Sequence, residues 1–328
     1  MYNFCTLFDS NYLHKGLALY QSLCDVCNDF HLFVVAFDDL CFNTLQDLKL
    51  DRLSVVSLTE FETKELIAVK PTRNRAEYCW TAGPSVIFYF INKYNLEHCT
   101  YVDSDLMFFS SPDAIFKEIG TSSVAITEHI PDGPEMLAGK YCVQFVYFKN
   151  DLDGMKALTW WMNSCIDWCF ARYEDGKYGD QKYLDSFLGL FNNVYVIKHR
   201  GAGIAAWNIQ LYDFKVPHKI EYKSQLIDII FFHFHGTQIN LNNDILEINV
   251  ITSDVDRYLE VNVYYPYLDL LSQIYKSYLN RNVLSVNVKK RNFYKRIIAK
   301  MKANLKNSSV VRFIYFDFFK VKYNGYEN

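Results

Sequence analysis

Asp103 and Asp105 are two carboxylates separated by one residue at the end of a hydrophobic run, Tyr101-Val102-Asp103-Ser104-Asp105-Leu106-Met107. In extended backbone, side chains two apart point to the same side. Like charges held that close are costly unless solvent reaches them or a cation lies between them. The pattern reads either as a solvated D-x-D turn or as a hard oxygen site for Mg²⁺ or Mn²⁺, with substrate phosphates completing the shell. A second constellation lies far downstream, at Phe232-His233-Phe234-His235-Gly236. Alternation puts both histidines on one face and both phenylalanines on the core side, and the glycine permits close backbone approach. A single strand histidine reads as structural, whereas two on one face read as candidate ligands.

Further residues carry weaker signals. Asp180, in Gly179-Asp180-Gln181, is either the N-cap of a helix beginning near Lys182 or an acid at the site. Arg73 and Arg75 precede a predicted helix and read as solvent-facing or phosphate-facing cations. Gly201-Ala202-Gly203-Ile204-Ala205-Ala206 satisfies G-x-G-x-x-A, but Trp207-Asn208 follows instead of a helix, so it reads as a loop beside a cleft and not as a dinucleotide fingerprint. Cys24 and Cys27 form one C-x-x-C, and Cys165 and Cys169 lie a helical turn apart. The nine cysteines of a chain without an export signal read as reduced, buried small hydrophobes.

Such residues need elements to position them. Apolar, β-branched and aromatic runs at 2 to 8, 31 to 37, 53 to 58, 99 to 103, 123 to 128, 143 to 148, 194 to 198 and 229 to 235 predict strands. A helix is expected after the first strand, with Leu13, Leu17, Tyr20 and Leu23 on one face. Others are expected at 84 to 95, with Pro84 in the first turn, and at about 153 to 172. Strands alternating with helices predict an α/β fold around a mainly parallel sheet. The D-x-D then falls at a strand end, where such sheets bind ligands.

The order of Thr6 to Tyr12, Arg75 to Ser85, the D-x-D, Gly179-Asp180-Gln181 and H-x-x-G resembles the GT-A glycosyltransferases related to glycogenin and the bacterial lipopolysaccharide galactosyl- and glucosyltransferases. The resemblance covers roughly residues 1 to 240. It implies a Rossmann-like, mainly parallel mixed sheet with flanking helices. It further implies transfer of a sugar from a nucleotide-diphosphate donor such as a UDP-sugar to a glycan or glycolipid, with retention, as in surface polysaccharide biosynthesis. By resemblance, Thr6, Asp9, Tyr12, Arg75, Ser85, Asp103 and Ser104 face the nucleotide sugar. Asp103, Asp105 and His233, with His235 as the alternative, hold Mn²⁺ or Mg²⁺, and Asp180 and Gln181 border the reacting groups. This sequence departs from the family where K-P-W usually follows H-x-x-G, having Thr237-Gln238-Ile239, and has Cys142 and Gln144 where relatives tend to carry Asn and Gly.

With 328 residues and 50% hydrophobic content, the chain can fill a large core, and 25 Tyr and 26 Phe against 13 Gly and 7 Pro favour packed elements over linkers. Residues 1 to 250 are expected to form the catalytic domain and 251 to 328 a helical C-terminal region. The net charge of −3 is uneven: from Arg281 onward twelve Lys and Arg oppose Asp317 and Glu327, a net of +10, leaving −13 on residues 1 to 280. Residues 289 to 306 hold eight basic residues and no acidic ones, with Phe293, Ile297, Met301 and Leu305 at spacing four. That spacing predicts an amphipathic helix, either packed on the main domain or docked on an anionic membrane. The acidic main domain argues against nucleic acid as a partner. Without a signal peptide or a long apolar run, a cytoplasmic protein is expected, peripheral on the inner membrane face. A nucleotidyltransferase acting on sugar phosphates and a non-catalytic carbohydrate-binding protein are the alternatives. The first is disfavoured because Phe8-Asp9-Ser10-Asn11 supplies no Gly- and basic-rich phosphate loop.

Overall fold

The computed structural model describes residues 1–133, 135–250 and 255–290. In chain order its first nine strands among the described residues are β1 (Tyr2–Phe8), β2 (Phe30–Ala36), β3 (Leu53–Ser57), β4 (His98–Val102), β5 (Leu106–Phe108), β6 (Val124–Glu128), β7 (Tyr141–Lys149), β8 (Val194–Val196) and β9 (Ile204–Ala205). Seven build the main sheet in the order β3-β2-β1-β4-β7-β6-β8. Within it β7 alone runs against its neighbours, so the expected α/β fold with a mainly parallel mixed sheet and flanking helices is met.

Both faces of this sheet are covered, which explains why its strands read as nearly unbroken apolar runs. Along β1, Phe4 and Phe8 enter one core with Leu17, Leu23, Val102 and Phe145. Cys5 and Leu7 enter the other with Val86, Phe90, Val146 and Trp161. The helix Leu13–Val26 lies on the first face, and the helices Arg75–Tyr94 and Leu152–Asp167 lie on the second. Each large side chain buried this way contributes about 1.5–3 kcal/mol, so the strand ends are held firmly.

The helix expected from residue 84 begins at Arg75 instead. Asn74 and Glu77 form a reciprocal capping box there, which satisfies the exposed amides of the first turn. Pro84 therefore lies inside the helix, which forgoes one backbone hydrogen bond, to the Trp80 carbonyl, while Thr81 to Ile87 pack in the protein interior. One helix thus carries both Arg75 and Ser85.

The remaining strands are β10 (Lys219–Tyr222), β11 (Gln225–Asp228), β12 (Phe231–His233), β13 (Gln238–Asn242), β14 (Ile245–Val250) and β15 (Ser285–Lys290). β12 forms a small second sheet, antiparallel to β5 and parallel to β9. It is shorter than the run 229 to 235 suggested. Beyond His233 the chain turns, with Thr237 N–H and Oγ1 both donating to the Phe234 carbonyl and Gly236 at φ 66°.

The region after residue 255 is helical at Arg257–Leu259 and Tyr265–Ser277. Residues 285 to 290, by contrast, form β15, parallel to β14 across the boundary expected near residue 250. The expected amphipathic helix from residue 289 is corrected at its start. Val286 and Val288 alternate onto the core, and Lys289 pairs with Glu247 at 2.6 Å from within a strand. Residues 291 to 306 of that segment lie outside the described residues. All nine cysteines are free, most of them buried.

Candidate active site

The site is assembled by strand register. β1 and β4 pair in parallel with Cys5 opposite Tyr101, so their ends, carrying Asp9 and Asp103, finish side by side. The turn after β4 is closed by the Leu106 N–H donating to the Asp103 carbonyl, and its continuation β5 pairs with β12. In that pairing His233 lies opposite Leu106, and the Phe234 N–H donates to the Asp105 carbonyl. Side chains remote in sequence are thereby fixed by backbone hydrogen bonds.

Asp103, Asp105 and His233 each offer a ligand atom within 4.8 Å of the others, a convergence that fits a divalent cation. His233 Nε2 lies 2.9 Å from Asp105 Oδ1 and 3.5 Å from Asp103 Oδ2. Its other ring nitrogen, Nδ1, is 2.9 Å from Gln144 Oε1. An amide oxygen only accepts, so Gln144 requires the proton on Nδ1 and turns Nε2 toward the carboxylates. Two carboxylate oxygens and one imidazole nitrogen suit Mn²⁺ or Mg²⁺ with waters or phosphates.

The electrostatics are uneven. Burial, aided by the nearby charge of Asp105, pushes the Asp103 carboxyl up to about 6. Burial also opposes ionisation of Asp105, but His233 and Lys15 outweigh it and hold that carboxyl well below the usual range. His233 is raised despite burial because Asp105 faces it. His235 is solvent-exposed, its ring centred 5.4 Å from that of His233 and outside the converging triad. Trp207 lies edge-on to both rings, at 5.3 and 5.5 Å.

Asp180 is brought near Asp103, and its carbonyl accepts from Trp161 Nε1 at 2.9 Å. Its side chain caps no helix, which departs from the capping alternative. Burial, then the charge of Asp103, pushes its carboxyl up to about 8. Gln181 follows in a short 3₁₀ turn.

The other expected contacts lie on β1, the loop after it, the D-x-D turn and the helix Arg75–Tyr94. Asp9 Oδ1 accepts from the amides of Asn11 at 2.8 Å and Tyr12 at 3.2 Å, forming a tight loop after β1. Arg75 is ion-paired with Asp9 and reaches Asp38 at 3.5 Å, so its guanidinium is engaged at that loop. Tyr12 is exposed, Ser104 is buried in the D-x-D turn, Thr6 is wholly buried within β1, and Ser85 is buried mid-helix. Thr6 Oγ1 and Ser85 Oγ have no hydrogen-bond partner among the described residues.

Sequence reasoning missed Lys15, which is buried and 3.5 Å from Asp105 Oδ2. A lysine in an amphipathic helix ordinarily reads as solvent-facing, so nothing flagged it. Gln144 was visible only as a departure from the family. The G-x-G segment finds its use here: Gly203 has φ 90°, and a Cβ there would lie 2.9 Å from Gln144 Nε2. The loop therefore packs closely against the residue that holds His233.

No family model matches the chain. In sequence it is similar to two uncharacterized proteins of Bacillus subtilis (strain 168). It is 33% identical to YfnF over 260 residues, covering 76% of this chain and 86% of that protein. It is 32% identical to YfnD over 243 residues, covering 72% and 78%. Among solved structures it is similar to the glycosyltransferase GlyE of Streptococcus pneumoniae TIGR4, at 13% identity and TM-score 0.47, spanning 84% of this chain and 63% of that one. The galactosyltransferase LgtC gives 10% identity and TM-score 0.45 over 71% of this chain and 87% of that one. The bifunctional glycosyltransferase WbbM gives 12% identity and TM-score 0.49 over 86% and 51%.

Proposed function

We propose that this chain, which belongs to the family of the Bacillus subtilis proteins YfnF and YfnD, is a glycosyltransferase that moves a sugar from a nucleoside diphosphate, such as a UDP-sugar, to a glycan or glycolipid hydroxyl. The observation that carries this reading is the convergence of Asp103, Asp105 and His233, with His233 held by Gln144 through Nδ1. Mn²⁺ or Mg²⁺ held by those three side chains would neutralise charge on the departing diphosphate.

The remaining roles belong to the protein's own groups. Gln144 keeps His233 in the tautomer that presents Nε2. The loop closed by Asp9, with Tyr12 exposed beside it, supports the nucleotide. Asp180, neutral and anchored through Trp161, donates a hydrogen bond to the transferred sugar or the acceptor, and Gln181 lies next to it. We assign retention of configuration and a part in surface polysaccharide synthesis to the same reading. Among the described residues no helix is long and apolar enough to cross a membrane. A cytoplasmic location, with the basic C-terminal segment against an anionic membrane, completes the proposal.

The test is a thermal-shift panel of UDP-sugars and UDP with and without Mn²⁺, because a ligand of the native state raises the melting temperature. The wild type should gain most stability with Mn²⁺ and nucleotide together, and Asp105→Asn should lose that gain. Equal shifts in both proteins, or none in either, would refute the reading.

A further inference from the structure

The helix Leu13–Val26 buries a charge in its first turn. Lys15 has 4% of its side chain exposed, and its Nζ lies 3.5 Å from Asp105 Oδ2. The same ammonium donates to the Thr237 carbonyl at 3.2 Å and stands 4.3 Å from the centre of the Tyr12 ring. Burying an ammonium is unfavourable unless it is well paired, and its pairing here is loose. Charge-assisted N–H···O contacts are typically about 2.7–2.9 Å, and an ammonium has three protons to place. Lys15 is therefore held at the site with donor capacity to spare.

Charge balance gives that capacity a purpose. A divalent cation offsets Asp103 and Asp105, but a nucleoside diphosphate adds further negative charge that needs its own partner. Arg75 is engaged by Asp9 and Asp38. The segment after His233-Phe234-His235-Gly236 is Thr237-Gln238-Ile239, which brings no cation. Among the described residues, Lys15 is the lysine or arginine paired with the triad, and it reaches the backbone of that same segment from the first helix. Asp105 presents one oxygen to His233 and the other to Lys15, so the two groups flank it.

We propose that Lys15 is a diphosphate-binding residue that supplies the cation missing from the loop after His233, with Asp105 holding it in place until the donor arrives. This rests on reading the site as one for a nucleoside diphosphate. The probes are UDP and uridine in the presence of Mn²⁺, and Mn²⁺ alone, titrated calorimetrically into the full chain. Lys15→Met should bind UDP about 10- to 100-fold more weakly, the usual effect of losing a charged hydrogen bond. Its binding of uridine should stay near wild type, and Mn²⁺ alone should bind no more weakly, since the change removes a competing positive charge beside Asp105. Lys15→Gln, which keeps a donor for the Thr237 carbonyl, should lose UDP similarly, and Lys15→Arg should recover part of it. Unchanged UDP binding in Lys15→Met, beside normal binding in the wild type, would overturn the assignment alone. So would equal losses for UDP, uridine and Mn²⁺, which mark a structural role. A wild type that binds neither Mn²⁺ nor UDP would instead sink the glycosyltransferase reading, and this proposal with it.

Discussion

Replacing Gln144 with Leu tests whether His233 is held for metal binding. Gln144 is fully buried, and its Oε1 is the acceptor for His233 Nδ1 at 2.9 Å. Leucine is close in volume, so the change removes an acceptor with little cavity. A buried N–H left without a partner costs about 1–3 kcal/mol. Part of that cost falls on folding. The rest appears when the imidazole, now able to turn or change tautomer, must be returned to the ligating geometry. At about 1.4 kcal/mol per tenfold, the full range corresponds to about 5- to 150-fold, in line with the roughly 10- to 100-fold measured for outer-shell partners of metal-bound histidines. Calorimetric titration with Mn²⁺, paired with denaturant unfolding of the metal-free protein, divides the two parts. Gln144→Glu, which keeps an acceptor at the same reach, should bind Mn²⁺ at least as well as the wild type. If Gln144→Leu changed Mn²⁺ affinity by less than about twofold and unfolding by less than about 0.5 kcal/mol, the range of an indifferent substitution, the positioning argument would be wrong.

Other substitutions separate neighbouring roles. His233→Ala should abolish detectable Mn²⁺ binding while His235→Ala preserves it, as isothermal titration of the two would reveal; the reverse order would move the ligand to the exposed ring. Gly203→Ala forces a side chain onto a backbone at φ 90° and against Gln144 Nε2. It should lower stability by about 1–3 kcal/mol and weaken Mn²⁺ binding, read by denaturation and titration. Asp180→Asn keeps a donor in the same shape and Asp180→Ala removes it, so sugar transfer, followed by UDP release, should stay within about tenfold in the first and fall about 100-fold in the second, with Mn²⁺ and UDP binding near normal in both. The membrane proposal calls for truncation after residue 290, since removing β15 would disturb its pairing with β14. Flotation with anionic liposomes should then be lost relative to the full chain.

The contrast between what was legible and what was not follows contact range. The strand ends, the D-x-D and the paired histidines were readable because each is a local pattern: an unbroken apolar run ended by charge or, for the histidines, an alternation with phenylalanine. Where a competing local signal existed, the reading failed. Pro84 looked like a helix start, yet the Asn74–Glu77 capping box had already begun that helix. The apolar spacing of four in 289 to 306 suggested a helix from residue 289, yet Lys289 and Lys290 end a strand in which Val286 and Val288 alternate, with β14 as partner.

The amino-acid order alone determined the α/β class, the alternation of elements and the placement of Asp103 and Asp105 at a strand end, since these depend on neighbours along the chain. Only tertiary structure decided that His233 and not His235 joins the carboxylates, that Gln144 holds its ring, and that Lys15 lies buried beside Asp105. Each of those depends on the register in which β5, β9 and β12 pair or on how the first helix seats against them. A one-residue slip in such a pairing turns every side chain to the opposite face, and the energy that fixes it comes from contacts among residues far apart in sequence.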